Sequence, residues 1–133
     1  MTLLFAAFLA AHALIHVSYL TPAPPRTASG PEWPFELTHS WLVTGVHLGP
    51  ELVRGLGTAL VTGTVALLLA GGLATAGWLI PTGWSTPLVV SGTATSMLTL
   101  ALFFHPWLVL GLVIDAALVW AVVVAGWAPA ATP

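Results

Sequence analysis

The chain has 133 residues, of which 58% are hydrophobic and only 5% charged, with a formal net charge of −2. Soluble domains carry about a quarter charged residues, so water is not the main solvent of this chain. Two basic residues leave no footprint for a nucleic acid, and the absence of cysteine removes disulfides, thiol catalysis and iron–sulfur clusters.

Residues 2–20 form the first apolar run, in which His12, His16 and Tyr19 stand out. The run lacks a basic leader, is longer than the apolar core of a signal peptide, and carries histidines. It is therefore expected to be an uncleaved membrane span. Residues 21–34 (TPAPPRTASGPEWP) are Pro- and Gly-rich and read as an extended connection.

Residues 35–48 show a helical pattern: Glu36, Ser40, Thr44 and His47 on a polar stripe with His39 beside it, and Leu37, Trp41, Leu42, Gly45 and Leu48 opposite. This predicts a short amphipathic helix lying in the membrane interface, with an irregular loop anchored by Trp33 and Trp41 as the alternative.

Pro50 and Glu51 suit a helix N-terminus and open a second span, 51–80. Within it Gly55, Ala59 and Gly63 recur every four residues, the spacing that lets membrane helices approach closely, and Gly71–Gly72 offer a bend. After a turn at 81–85, a third span covers 86–105, with Gly92 and Ser96 on one face and Thr95 and Thr99 nearby. Pro106 then opens a fourth span, 107–127, followed by a short tail from Ala128. Each run approaches the 20 or so apolar residues that cross a hydrocarbon core about 30 Å thick. The expectation is an all-α fold: one integral membrane domain over 1–133, a bundle of four transmembrane helices. Most of the Trp residues sit at span ends, as in an aromatic belt, with Trp120 deeper.

Such a chain puts Arg26, Glu32, Glu36, His39, His47, Glu51 and Arg54 in or next to the long first connection, and His105 on the same side. The positive-inside rule then makes that loop cytoplasmic and sets both termini on the opposite side. At 1.5 Å per residue, His16 lies about 6 Å, His12 about 12 Å and Asp115 about 13 Å inside this polar end. An aspartate near the midplane costs about 2.5–3.5 kcal/mol on insertion scales, so it needs a partner or water inside the bundle. The depths predict a polar pocket with His12, His16 and Asp115 as its floor. Tyr19 and His105 form the wall, His47, Glu51 and Arg54 the mouth, and Gly111 leaves room beside Asp115.

Several chemistries suit these residue types. Two histidines four apart plus a carboxylate are a ligand set for a transition metal such as Zn, Fe or Cu. A haem on His12, His16 or His105 is a further reading, although a full set of paired ligands is not visible. A buried Asp beside histidines can relay protons or bind a small solute. With one histidine as base and Asp115 orienting it, the same group could act as a catalytic site on a lipid-soluble substrate, although Ser96 is only weakly placed as a nucleophile. Alternatively, His12 and Asp115 form an interhelical hydrogen bond that fixes register. A scaffold or accessory subunit is another reading, in which the small-residue faces bind a larger membrane complex or a second copy.

The string His12-Ala-Leu-Ile-His16, the Trp33-Pro-Phe35 and Ser40-Trp41-Leu42 segments, and Phe103-Phe104-His105-Pro106-Trp107 with Gly111 and Asp115 together resemble a group of small, uncharacterised four-helix membrane proteins. In size and span count the chain is also similar to DoxX-like proteins, membrane proteins associated with quinol or thiosulfate oxidation. The resemblance implies four spans and the same residues that the depths select, and it implies no activity.

Overall fold

The computed structural model describes residues 1–25 and 33–127, and the helices follow the apolar runs. Helix α1 spans Thr2–His16 and continues as a 3-10 turn over Val17–Leu20. Helix α2 is one turn, Trp41–Thr44; α3 spans Pro50–Ala76, α4 Ser85–Leu102 and α5 Val109–Val119. A 3-10 turn, Pro106–Leu108, leads into α5, and a π-helical turn, Trp120–Val124, leads out of it. Among the described residues, four segments are long and apolar enough to cross a membrane: Thr2–Leu20, Pro50–Ala76, Thr82–Leu102 and Pro106–Val124.

The fourth span ends at Val124 rather than at residue 127, and three further boundaries differ from those expected of the sequence, each for a local reason. Helix α3 ends at Ala76 rather than at residue 80 because Gly77 takes the left-handed conformation (φ 70°). Its N–H then reaches Ala74 O at 3.1 Å and the Trp78 N–H reaches Leu73 O at 2.8 Å, a glycine cap that closes the helix. Helix α4 ends at Leu102, three residues early, because Pro106 has no N–H to offer the Leu102 carbonyl, and the first connection caps the carbonyls left free. Ser40 Oγ donates to Leu102 O at 2.7 Å and Trp41 Nε1 to Ala101 O at 2.9 Å.

The third difference is the predicted interfacial helix over 35–48, which reduces to the single turn of α2. Ser40 is buried rather than on an outward polar stripe. Its hydroxyl caps α2 by accepting from the Leu42 N–H at 3.2 Å while also donating to α4. The segment is thus a strap across the end of α4, and it unwinds beyond Gly45 into a backbone with His47 at φ 60°.

The long helices pack in sequence, α1 on α3, α3 on α4 and α4 on α5. The α3–α4 interface has a regular antiparallel register. A Cβ on Gly57 would meet the Phe103 ring at 2.6 Å, one on Gly92 would meet Leu68, and one on Gly71 would meet Val89. Further along, Thr75 and Ser85 share a 2.6 Å hydrogen bond. Continuing that register puts Thr64 of α3 opposite Ser96 of α4. Among the buried positions of α4, Ser85, Val89, Gly92, Ser96 and Thr99 follow alternating steps of four and three, the repeat of a tightly packed helix pair, with Thr93 and Leu100 buried beside them. Gly72 does the same for α1, its Cβ position lying 3.2 Å from the Ala6 carbonyl.

The distribution of polarity is inverted relative to a water-soluble bundle. His12, His16, Thr64, Thr93, Ser96, Thr99 and Asp115 are buried, whereas Leu4, Phe8, Leu14, Leu52, Leu56, Leu98, Leu110, Val113 and Val124 are exposed. A bundle with this surface matches an apolar solvent and not water.

Candidate functional site

Three helices converge on Asp115, whose side chain is 0% exposed. From α1, His12 Nε2 lies 2.8 Å from Oδ1. From α4, Ser96 Oγ lies 2.5 Å from Oδ2. The same Ser96 oxygen is 2.8 Å from His16 Nε2, and His16 Nδ1 is 3.1 Å from the backbone carbonyl of His12. The two imidazoles, one helical turn apart, meet edge to face at 5.2 Å between centroids. The result is a continuous chain, His12–Asp115–Ser96–His16, closed on itself through the α1 backbone.

The protons of this chain can be counted. The His12 carbonyl only accepts, so His16 Nδ1 carries a hydrogen. Each of the three side-chain contacts also needs one proton, and the Ser96 hydroxyl supplies one of them. A neutral His12 with its hydrogen on Nε2 supplies the second. If all three contacts are hydrogen bonds, the third sits either on His16 Nε2, as an imidazolium facing an ionised Asp115, or on Asp115 Oδ2, as a neutral acid. The two states interconvert by shifting one hydrogen at each side of Ser96, and both are neutral overall. Removing that proton leaves one contact between two lone pairs and an uncompensated carboxylate in an apolar interior, each of which is costly.

The cluster borders a pocket of about 160 Å³ between α1 and α5. His12, His16 and Tyr19 line it together with Phe35, Leu100, Trp107, Leu108, Gly111 and Ile114. Tyr19 is 5% exposed, and its hydroxyl is buried without a hydrogen-bond partner among the described residues. A second groove of about 380 Å³ continues along the same seam past Ile114 toward Phe5, Phe8 and Trp127. The seam lies where the backbones of α1 and α5 stay apart, that side of the bundle being bridged by the His12–Asp115 bond and, further along, by the Phe5–Trp127 ring contact.

The residues expected at the site from sequence divide into two groups. His12, His16 and Asp115 come together, and Tyr19 stands on the pocket wall beside them. His105 does not line this pocket; its Nδ1 accepts from the Trp107 N–H at 3.2 Å and starts the turn into α5. His47, Glu51 and Arg54 are exposed and are not among the residues lining it. Arg26 and Glu32 lie outside the described residues.

As a metal set, His12, His16 and Asp115 do not converge. His12 Nε2 is spent on Asp115, His16 Nδ1 on a carbonyl, and Ser96 stands between His16 and the carboxylate. Among the described residues no group of three His, Cys, Asp or Glu has metal-holding geometry.

Ser96 is the member that sequence reasoning missed as a participant. The signal available was its place on the small-residue face with Gly92. That face turns inward, whereas Gly55, Ala59 and Gly63 turn outward, with nothing within 4 Å of a Cβ on either glycine. Compared with protein-family models, with curated proteins and with solved structures, the chain matches none.

Proposed function

We propose that this chain is a small integral membrane protein that holds one exchangeable proton in the His12–Asp115–Ser96–His16 chain and binds a small ligand in the adjoining pocket. The observation that carries this reading is the double engagement of Ser96 Oγ, by Asp115 at 2.5 Å and by His16 at 2.8 Å. A hydroxyl with one hydrogen satisfies both neighbours only if a further proton resides on one of them. The proton is held at the side of a pocket whose floor includes both histidines, so a bound ligand and the proton affect each other directly. The long first connection faces the cytoplasm in this reading, and the termini the opposite side.

The test is infrared and histidine nitrogen NMR spectroscopy of the protein in lipid nanodiscs near neutral pH. The expected result is either a protonated carboxyl band that disappears in Asp115→Asn, or an imidazolium signal that disappears in His16→Ala. In Ser96→Ala whichever signal is present changes. An ionised Asp115 beside two neutral histidines in the wild-type protein overturns the reading.

An acid–base enzyme acting on a lipid-soluble substrate would use the same residues, with His16 or His12 in contact with the substrate. Ser96 is a poor nucleophile for it, being fully buried, absent from the pocket lining and bonded to Asp115 as well as to His16. The accessory-subunit or homo-oligomer reading draws its support from the outward Gly55–Ala59–Gly63 face, which leaves room for another helix to approach.

A further inference from the structure

We infer that Thr64 of α3 is the fifth member of the buried site, a positioning residue whose hydroxyl donates to Ser96 Oγ and so holds the exchangeable proton on the His16 side of that serine. The inference rests on the proton-holding reading above and names the group that decides where the proton resides.

Two helix registers, drawn from different contacts, bring Thr64 to this level. Along the α3–α4 interface Gly57 meets Phe103, Leu68 meets Gly92, Gly71 meets Val89 and Thr75 bonds to Ser85. Each advance along α3 is matched by an equal step back along α4, and that register sets Thr64 against Ser96. On the other side of α3, Tyr19 clusters with Val53 and Val61 and Leu9 with Leu68, so α1 runs antiparallel to α3. The Cβ position of Gly72 lies 3.2 Å from the Ala6 carbonyl oxygen and 3.7 Å from Leu9 Cβ. Eight residues back from Gly72, at Thr64, the facing stretch of α1 is therefore Leu14 to Val17, which contains His16. Thr64 thus shares a layer with the 2.8 Å contact between His16 Nε2 and Ser96 Oγ, and it lies on the buried seam of α3 with Val61 and Leu68.

The hydroxyl supplies a second, independent observation. Thr64 is 0% exposed, and its Oγ1 has no hydrogen-bond partner among the described residues, a costly state in an apolar interior. The other buried threonines of α3 and α4 are satisfied: Thr75 bonds to Ser85, Thr93 to Val89 O and Thr99 to Thr95 O. Rotation about the Cα–Cβ bond of a threonine exchanges hydroxyl and methyl, so the group is re-aimed without moving the helix.

Ser96 has one valence left to receive it. In either state of the proton chain its hydrogen goes to one neighbour and one lone pair takes the hydrogen of the other, which leaves a single lone pair. Only a donor fits there, and Thr64 brings one. A hydroxyl that accepts a hydrogen bond becomes the stronger donor, and the gain is larger toward a carboxylate than toward a neutral imidazole. The Thr64 bond therefore favours the imidazolium–carboxylate state over the neutral acid.

The experiment compares the wild type with Thr64→Val and Thr64→Ser in phosphatidylcholine nanodiscs near neutral pH. Histidine nitrogen NMR reads the imidazolium, and the infrared carboxyl band reads the neutral acid. The His16 imidazolium is expected to dominate in the wild type. In Thr64→Val the ratio of imidazolium to neutral carboxyl should fall roughly fivefold, the weight of one hydrogen bond, and Thr64→Ser should restore it. Thr64→Val keeps the shape of the side chain and Thr64→Ser keeps its hydroxyl, so a response to altered packing and a response to the lost hydroxyl separate. An unchanged ratio in Thr64→Val, a failure of Thr64→Ser to restore it, or a wild type with the proton wholly on Asp115 overturns the inference. In each of those cases the proton signal is still present, and the proton-holding reading stands. An ionised Asp115 beside two neutral histidines in the wild type ends both.

Discussion

His12 and Asp115 are 103 positions apart in sequence and 2.8 Å apart in space, and each removes the other's need for water. Truncating either one leaves its partner buried and unsatisfied, at about 1–3 kcal/mol. His12→Ala and Asp115→Ala should each destabilise the protein by that order in detergent unfolding. The double variant should fall short of the sum by about 1 kcal/mol, as expected for groups in direct contact. A sum that adds without remainder would remove the contact. This pair was legible in the sequence because only a helical rise and the position of two loops were needed to bring both to one depth. The third member was not. A serine in an apolar helix most often bonds back to its own turn, as Thr93 does to Val89 O at 2.7 Å and Thr99 to Thr95 O at 2.8 Å. That Ser96 instead spans to α1 and α5 depends on the rotation of α4, which no local pattern in the chain fixes.

That rotation is set by the glycines. Gly92 lets α4 approach α3 so closely that a Cβ would lie 2.9 Å from the Leu68 side chain and 3.0 Å from its backbone nitrogen. Gly92→Ala must push the helices apart one turn from Ser96. It should cost about 1–3 kcal/mol, as overpacking does, and weaken the Ser96 hydrogen bonds with it. Gly63→Ala meets nothing within 4 Å and should be neutral or stabilising by a few tenths up to about 1 kcal/mol in the same unfolding assay, since alanine is the better helix former. Equal losses at the two positions would contradict the antiparallel register of α3 and α4. The sequence displayed the Gly55–Ala59–Gly63 spacing more conspicuously than the packed Gly57, Gly71 and Gly72. A four-residue repeat marks a helix face without saying which way it turns. The strap over α4 was hidden for a related reason: Ser40 and Trp41 have helical periodicity, but what they satisfy is the end of a helix some sixty residues later.

Four apolar helices with a polar interior also fix what the two ends of the bundle can be. The loop containing Thr38 and the turn containing Gly83 close opposite ends of the helices, because α3 runs from one to the other. Glu36 in the first connection and Glu51 and Arg54 in the first turns of α3 gather at the first end. The turn at Thr82–Trp84 carries no charged side chain. If the arginine-bearing end is cytoplasmic, as proposed, the turn is exported with the termini. The chain has no cysteine, so single cysteines report without background. A membrane-impermeant maleimide added to intact cells should label Gly83→Cys and spare Thr38→Cys until the cells are opened. The opposite pattern would invert the bundle and leave its architecture intact, since two arginines against three glutamates around that loop exert little pull. Labelling of both from outside would end the four-span arrangement itself. The shared depth of His12 and Asp115, which relies on α1 and α5 crossing the same hydrocarbon in opposite directions, would then have to arise in some other way.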